Sequence, residues 1–196
     1  MEKSQLLKTF LKERIEHPEK AAEIDKKIHK QFKVKKAVYI QDMSGFSKLV
    51  IKYGIIHYLA MIQQMQDIVL PSVLKNKGKI MKTEADNVYA TFNSVNDAVK
   101  SAKEVMQKLH GMNEVLPDER DIHVSIGIGF GEILDLDHDF FGNEVNLASK
   151  LGEDIAERNQ ILLTEEAYKK YSKKQNCKKV SASVSGISLS YYELKL

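Results

Sequence analysis

Apolar residues recur at helical spacing from the start of the chain. Leu6, Leu7, Phe10, Leu11 and Ile15 share one face and predict an amphipathic helix over residues 2–16. His17-Pro18 interrupts it, because the residue before a proline disfavours helical backbone. A second helix is predicted from about Glu19 to Phe32. This charged, proline-broken extension, residues 1–33, reads as separate from the rest of the chain. It is either a dimerisation arm or a cap on the core.

From about Lys35 the pattern shifts to an apolar strand that ends at Asp42. Leu49, Tyr53, Ile56, Leu59, Met61, Ile62, Met65, Ile68 and Val69 form a broad stripe. The stripe predicts one long helix from about Ser44 to Leu70, stopped at Pro71. The Met61/Met65 pair suits an adaptable binding surface, but core packing is the ordinary role of such a pair. Lys79 to Thr83 and Asn87 to Phe92 predict two strands joined by a tight turn at Glu84-Ala85-Asp86. Asn93-Ser94 caps a helix from about Val95 to Leu109. Ile122 to Phe130 alternates as a strand, and Gly131 to Leu136 continues it as a hairpin or bend. A helix over Val145 to Ala156, a strand over Gln160 to Leu163 and a helix over Glu165 to Tyr171, capped by Thr164, come next. Val180 to Leu196 alternates enough for one or two strands. The order β-α-β-β-α-β, then α-β-α-β, predicts an α+β fold over residues 34–196. It is a ferredoxin-like antiparallel sheet with helices packed on one face.

Composition narrows the function classes. The chain has 196 residues and a formal net charge of +3, with lysines spread in small clusters. That balance is too diffuse for nucleic-acid binding and describes a solvated surface. The single cysteine, Cys177, excludes an internal disulfide framework and a cysteine metal site, and fits a reducing cytoplasm. No apolar run approaches a membrane span, and Met1-Glu2-Lys3-Ser4 does not open a signal peptide.

Candidate chemistry sits at strand ends. Asp42 lies in Gln41-Asp42-Met43-Ser44-Gly45-Phe46-Ser47, and Asp86 in Lys82-Thr83-Glu84-Ala85-Asp86. Two such carboxylates side by side can hold a pair of Mg²⁺ ions over a nucleoside triphosphate. Gly45 permits close backbone approach, and N–H groups at a helix start favour anions. Taken alone, the first segment is a plain helix N-terminus and the second a polar hairpin. Two further segments join them. Ile126-Gly127-Ile128-Gly129-Phe130-Gly131-Glu132 is a glycine-rich strand suited to close backbone approach. Asp139-Phe140-Phe141-Gly142-Asn143-Glu144-Val145-Asn146-Leu147-Ala148-Ser149-Lys150 places Asn146 and Lys150 four apart, on one helical face.

These four motifs, in this order, resemble the class III nucleotidyl cyclase catalytic domain over roughly Val34 to Tyr171. The resemblance implies roles residue by residue. Asp42, Asp86 and the Met43 backbone match the positions that bind two Mg²⁺ or Mn²⁺ ions. Gly45, Phe46 and Ser47 match the loop that wraps the phosphates. Lys82 and Asp139 match the base-reading pair, Asn146 the residue that orients the ribose, and Lys150 an arginine that stabilises the transition state. Lysine donates and an ionised aspartate accepts, which complements adenine; guanylate-specific members resemble a Glu/Cys pair instead. The implied substrate is ATP, and the products are 3′,5′-cyclic AMP and pyrophosphate. The family divides each site between two protomers, so one chain with all six positions implies a homodimer with two equivalent sites.

Two departures qualify the match. Lys150 keeps the charge of the family arginine but not its planar fork. Slower turnover is expected, by one to three powers of ten, or roughly 1.4 to 4 kcal/mol. Ala85 replaces the family glycine, which would add strain of order 1 kcal/mol at positive φ; a slightly different turn is the expectation. An inactive cyclase-homology dimer that binds nucleotide as a regulatory module is the alternative reading, and both retained aspartates argue against it. A diguanylate cyclase would need a Gly-Gly-(Asp/Glu)-Glu-Phe turn, which the chain lacks.

Overall fold

The computed structural model describes residues 2–184 and 187–195, apart from the side chains of 46–49, 182–184 and 187–188. Helices α1 (Lys3–Glu16) and α2 (Ala21–Phe32) form an antiparallel pair around a 3₁₀ turn at Pro18–Lys20. The pair closes over Leu7, Ile24, Ile28 and Phe32, and the cluster includes Leu136 and touches Leu134. Arg14 grips Asp25 with two bonds of 2.6 and 3.1 Å. Helix α2 passes directly into β1 (Lys33–Met43), two residues earlier than expected.

The stripe after Asp42 forms two helices rather than one. Helix α3 (Phe46–Tyr53) ends at Gly54, which has φ 85° and starts α4 (Ile55–Lys75). Glycine supplies that positive φ without a Cβ penalty. Pro71 does not stop α4, which continues four residues beyond it. The proline removes one N–H, and the Ser72 hydroxyl donates to the Ile68 carbonyl at 2.8 Å beside the gap. Met65, Val69 and Val73 are fully buried around the proline, so packing overrides propensity there.

Strands β2 (Lys79–Glu84) and β3 (Asn87–Phe92) form the expected hairpin. Helix α5 (Val95–Asn113) starts at Ser94, whose side chain accepts from Asn96 N–H. Strand β4 (Val124–Asp135) runs straight through the glycine-rich segment with no bend at Gly131. The short β5 (Phe140–Phe141), α6 (Asn143–Ser149), β6 (Ile161–Thr164), α7 (Glu165–Lys170), β7 (Cys177–Val184) and β8 (Ile187–Leu194) complete the chain. A π-helical segment over Lys150–Ile155 extends α6.

The sheet order is β2-β3-β1-β4-β6-β8-β7, with β5 on β4. Its first four strands are antiparallel and form the expected ferredoxin-like core. Beyond them β4 and β6 run parallel, because the α6 crossover returns the chain to the same end. Helices cover both faces, not one. Ala37, Tyr39 and Met43 of β1 pack with α4 and α5. Val38 and Ile40 point the other way, toward Ala148 of α6. Double coverage explains why β1 is buried from Ala37 to Gln41. Among the described residues no helix is long and apolar enough to cross a membrane.

Candidate active site

The topology brings Asp42 and Asp86 to one end of the sheet. Asp42 is the penultimate residue of β1, opposite Ser125 of β4. Asp86 occupies the β2–β3 turn, and β3 pairs with β1 up to Gln41–Val88. The Asp42 carboxyl is pushed up to about 7, first by burial, then by the charges of Asp86 and Glu153, against a hydrogen bond from the Met43 backbone. Tyr58 of α4 is almost fully buried and hydrogen-bonds Asp86. Burial first, then that bond, raises the Tyr58 hydroxyl above its ordinary value.

The Asp86 turn is strained. Ala85 has φ 49°, so it occupies the left-handed region, contrary to the expected shift in turn geometry. The two-residue loop fixes this outcome. Glu84 and Asn87 are a paired rung of the ladder, and such a loop demands positive φ at its first central position when the second is negative.

Asp42 and Asp86 have no ion-pair partner among the described residues. The fifteen basic–acidic pairs lie elsewhere in the chain. Two uncompensated carboxylates fit a hard divalent cation. Met43 buries its side chain in the core and leaves only its backbone at this end. Among the described residues no group of three or more His, Cys, Asp and Glu could hold a metal. A cation here would draw on two carboxylates and a carbonyl and complete its shell from water or phosphate, as Mg²⁺ commonly does.

Past Asp42, Gly45 holds φ 97° and starts α3. The side chains of Phe46 and Ser47 lie outside the described residues.

A second cluster forms around Lys82 of β2. Its ammonium lies 3.3 Å from Asp139 Oδ1 and 3.2 Å from Glu84 Oε2. Burial pulls the Lys82 pKa down; hydrogen bonds to Glu84 and Asp139 outweigh it, and the pKa is raised. The Tyr89 ring lies 5.0 Å beneath Lys82 Nζ and meets Phe140 edge-on. The Phe140 N–H donates to Asp139 Oδ1 at 2.9 Å.

Asn146 and Lys150 are one turn apart across the α6–π junction. Among the described residues neither makes a hydrogen bond or ion pair with the Lys82/Asp139 pair or the two aspartates. The close seat of α6 on β4 depends on glycine. A Cβ on Gly127 would meet the Ala148 carbonyl oxygen at 2.0 Å, and one on Gly152 the Ile40 oxygen at 2.8 Å.

Glu153 carries no motif in the sequence. It sits in the π segment and accepts from Tyr89 OH at 3.0 Å, Asn87 Nδ2 at 3.3 Å and Ser149 Oγ at 2.6 Å. It therefore ties the hairpin to α6, between the two clusters. Tyr58 and Tyr89 carry none either. Tyr58 meets Asp86, and Tyr89 meets Glu153, tens of residues away, so no local signal marks those bonds.

Comparison with known proteins completes the picture. Residues 28–189 match the family model described as the adenylate and guanylate cyclase catalytic domain. The chain is 28% identical over 115 residues to "Putative adenylate cyclase 3" of Rhizobium meliloti (strain 1021), across 59% of this chain and 20% of that protein. It thus spans about a fifth of that relative's length. The adenylate/guanylate cyclase/hydrolase of Silicibacter pomeroyi superposes with a TM-score of 0.72 at 24% identity, over 84% of this chain and 98% of that one. The adenylyl cyclase CyaB of P. aeruginosa gives 0.66 at 20%, over 83% and 95%. These two likenesses establish the fold. The family match reaches from α2 into β8, and with it the chain belongs to the adenylate and guanylate cyclase catalytic domain family.

Proposed function

We propose that this nucleotidyl cyclase domain is an adenylate cyclase, converting ATP to 3′,5′-cyclic AMP and pyrophosphate. One observation carries the choice of adenine. Lys82, whose ammonium lies over the Tyr89 ring, stands 3.3 Å from Asp139, a pure donor beside a pure acceptor. Adenine offers an acceptor at N1 and a donor at its amine, and guanine reverses that edge. A base entering here exchanges the Lys82–Asp139 contact for one bond to each.

The two aspartates and the base pair belong to different sites of a homodimer. Each site takes Asp42, Asp86 and the Gly45 loop from one copy, and Lys82, Asp139, Asn146 and Lys150 from the other. Ile51, Ile55, Ile56 and Leu59 of α3 and α4 are exposed, Ile51 by 86% and Ile56 by 76%. Such a patch suits a second copy of this chain. Asn146 positions the ribose so that its 3′-hydroxyl lies in line with the α-phosphorus. The new O3′–P bond forms as the hydroxyl gives its proton to solvent water and the bond from the α-phosphorus to the bridging oxygen breaks, so that pyrophosphate departs with that oxygen. Lys150 meets the negative charge that grows on the α-phosphoryl oxygens. Backbone N–H groups after Gly45 cradle the phosphates. Two Mg²⁺ or Mn²⁺ ions on Asp42, Asp86 and the Met43 carbonyl would supply Lewis-acid charge to the 3′-hydroxyl and the phosphates.

The test is incubation of the purified protein with ATP or GTP and Mn²⁺ or Mg²⁺, with the product identified by mass. Cyclic AMP from ATP, lost in Asp42→Ala, is the expected result. No cyclic nucleotide from either substrate leaves the regulatory-module reading in its place.

A further inference from the structure

Asp139 is carried by a four-residue turn, Leu136-Asp137-His138-Asp139, that follows the Asp135–Phe140 rung of β4 and β5. The turn is closed by its own backbone. Leu136 N–H donates to the Asp139 carbonyl at 2.9 Å. Asp137, at φ 72°, donates its N–H to Asp135 Oδ1 at 2.9 Å. Leu136 and Asp139 are therefore displaced together.

The α1–α2 pair holds one side of this turn. Leu136, its single apolar residue, is 7% exposed and joins the cluster of Leu7 from α1 with Ile24, Ile28 and Phe32 from α2. Lys3 of α1 adds a second tie, with its ammonium 2.8 Å from Asp137 Oδ1. Two consecutive residues of the turn are thus fastened to α1, one by apolar burial and one by charge. The ion pair is partly exposed and contributes little, so the buried leucine is the stronger anchor. The sheet holds the other side, where Phe140 is buried with Val38, Ile40 and Ala148.

Asp139 stands between these two anchors. Without the helical pair, Leu136 would face water and the turn could pivot about the Asp135–Phe140 rung. A shift of about 1 Å takes a carboxylate oxygen out of hydrogen-bond reach of a fixed donor. Neither Lys3 nor Leu7 lies in a motif of the sequence that marks a nucleotide site.

We propose that the α1–α2 pair is a positioning element for base recognition. Leu7, through Leu136, and Lys3, through Asp137, hold Asp139 where it accepts from the adenine amine. This role rests on the base-reading pair proposed above. Lys3 and Leu7 act through the turn and do not touch the nucleotide.

The test uses the full chain as wild type, Leu7→Ala, Leu7→Met and Lys3→Gln. The substrates are ATP and purine riboside triphosphate, which keeps N1 but lacks the 6-amine. Lys82 meets N1 in both, so the Asp139 contact separates them. Leu7→Ala is expected to lower the ratio of kcat/KM for ATP to that for the analogue by about 3- to 10-fold, through a higher KM for ATP with kcat changed far less. Leu7→Met should restore most of the ratio, and Lys3→Gln should lower it about two-fold. A merely structural role reduces the active fraction, which lowers kcat on both substrates alike and leaves the ratio unmoved. Melting temperature records that loss separately. If Leu7→Ala does not fold, Lys3→Gln decides. An unchanged ratio in the deciding variant, beside a wild type that prefers ATP, overturns the role of the helical pair and leaves the adenylate cyclase reading standing. A wild type that cyclises neither substrate, or both equally well, overturns the base-reading pair and the positioning role with it.

Discussion

In the proposed mechanism, the chemistry at Lys150 turns on the shape of a cation. Lysine carries a point charge on a flexible stem, whereas arginine presents a planar fork. Lys150 sits at the start of the π segment. Lys150→Arg is expected to raise kcat by about ten- to a thousand-fold, with the KM for ATP changed far less, because the added bonds form in the transition state. Steady-state kinetics with ATP checks this, and an unchanged kcat contradicts it. Ala85 poses a backbone question. At φ 49° its Cβ crowds the turn that aims Asp86. Ala85→Gly relieves that strain and gives part of the gain back through a looser unfolded chain, for a net rise of about 0.5 to 1 kcal/mol. A higher urea midpoint at constant m-value is the signature. These single residues also show what the sequence made legible. Asp42, Asp86, Lys82, Asp139, Asn146 and Lys150 stood out because each lies in a short local motif. Glu153 did not, because its meaning comes from Tyr89, 64 residues away.

At the scale of elements, the glycines of β4 decide how close α6 can lie. With a Cβ only 2.0 Å from the Ala148 oxygen, Gly127→Ala must push α6 and the π segment off the sheet. A loss of about 3 kcal/mol or more is expected, with Asn146 and Lys150 displaced and kcat reduced. Denaturant unfolding and kinetics on one preparation test both parts. The α4–α5 contact makes a prediction in pH. Glu104 of α5 is held down to about 2 by Lys108 first, then Asn76 and Lys75, against an ordinary value of 4.5. A depressed carboxyl contributes its stabilisation in full above about pH 4.5 and loses it as pH falls toward 2. Glu104→Gln should therefore narrow the gap between urea midpoints at pH 7 and pH 3. An unchanged gap would show that Glu104 is not a source of acid sensitivity. Element type was largely readable from periodicity, whereas interruptions were not. Gly54 sat inside an unbroken apolar stripe, yet only the fold demanded positive φ there. Pro71 is a stop signal that buried neighbours overrode. The π segment has no period of its own, since one inserted residue leaves the helical pattern almost intact. The second helical face was hidden too, because an apolar run as short as β1 does not reveal coverage on both sides.

At the scale of the whole molecule, one chain carries every named group but keeps them apart. Asp42 and Asp86 share one end of β1 and the hairpin turn, and Lys82 and Asp139 lie together beyond Tyr89. Among the described residues, Asn146 and Lys150 make no hydrogen bond or ion pair with either cluster and stand apart on α6 and the π segment. The proposed function joins them across a two-fold axis, where the exposed apolar stripe of α3 and α4 offers a surface. Complementation tests that claim most directly. Asp42→Ala removes the metal side and Lys82→Ala the base side, and each homodimer should make almost no cyclic AMP. A heterodimer of the two has one doubly damaged site and one intact site. Random pairing at equal amounts makes half the dimers heterodimers with half their sites intact, or about one quarter of the wild-type rate. Recovery of cyclic AMP synthesis from ATP near that level is the predicted result. A mixture as inactive as its parts, beside an active wild type, would contradict a site shared between two chains.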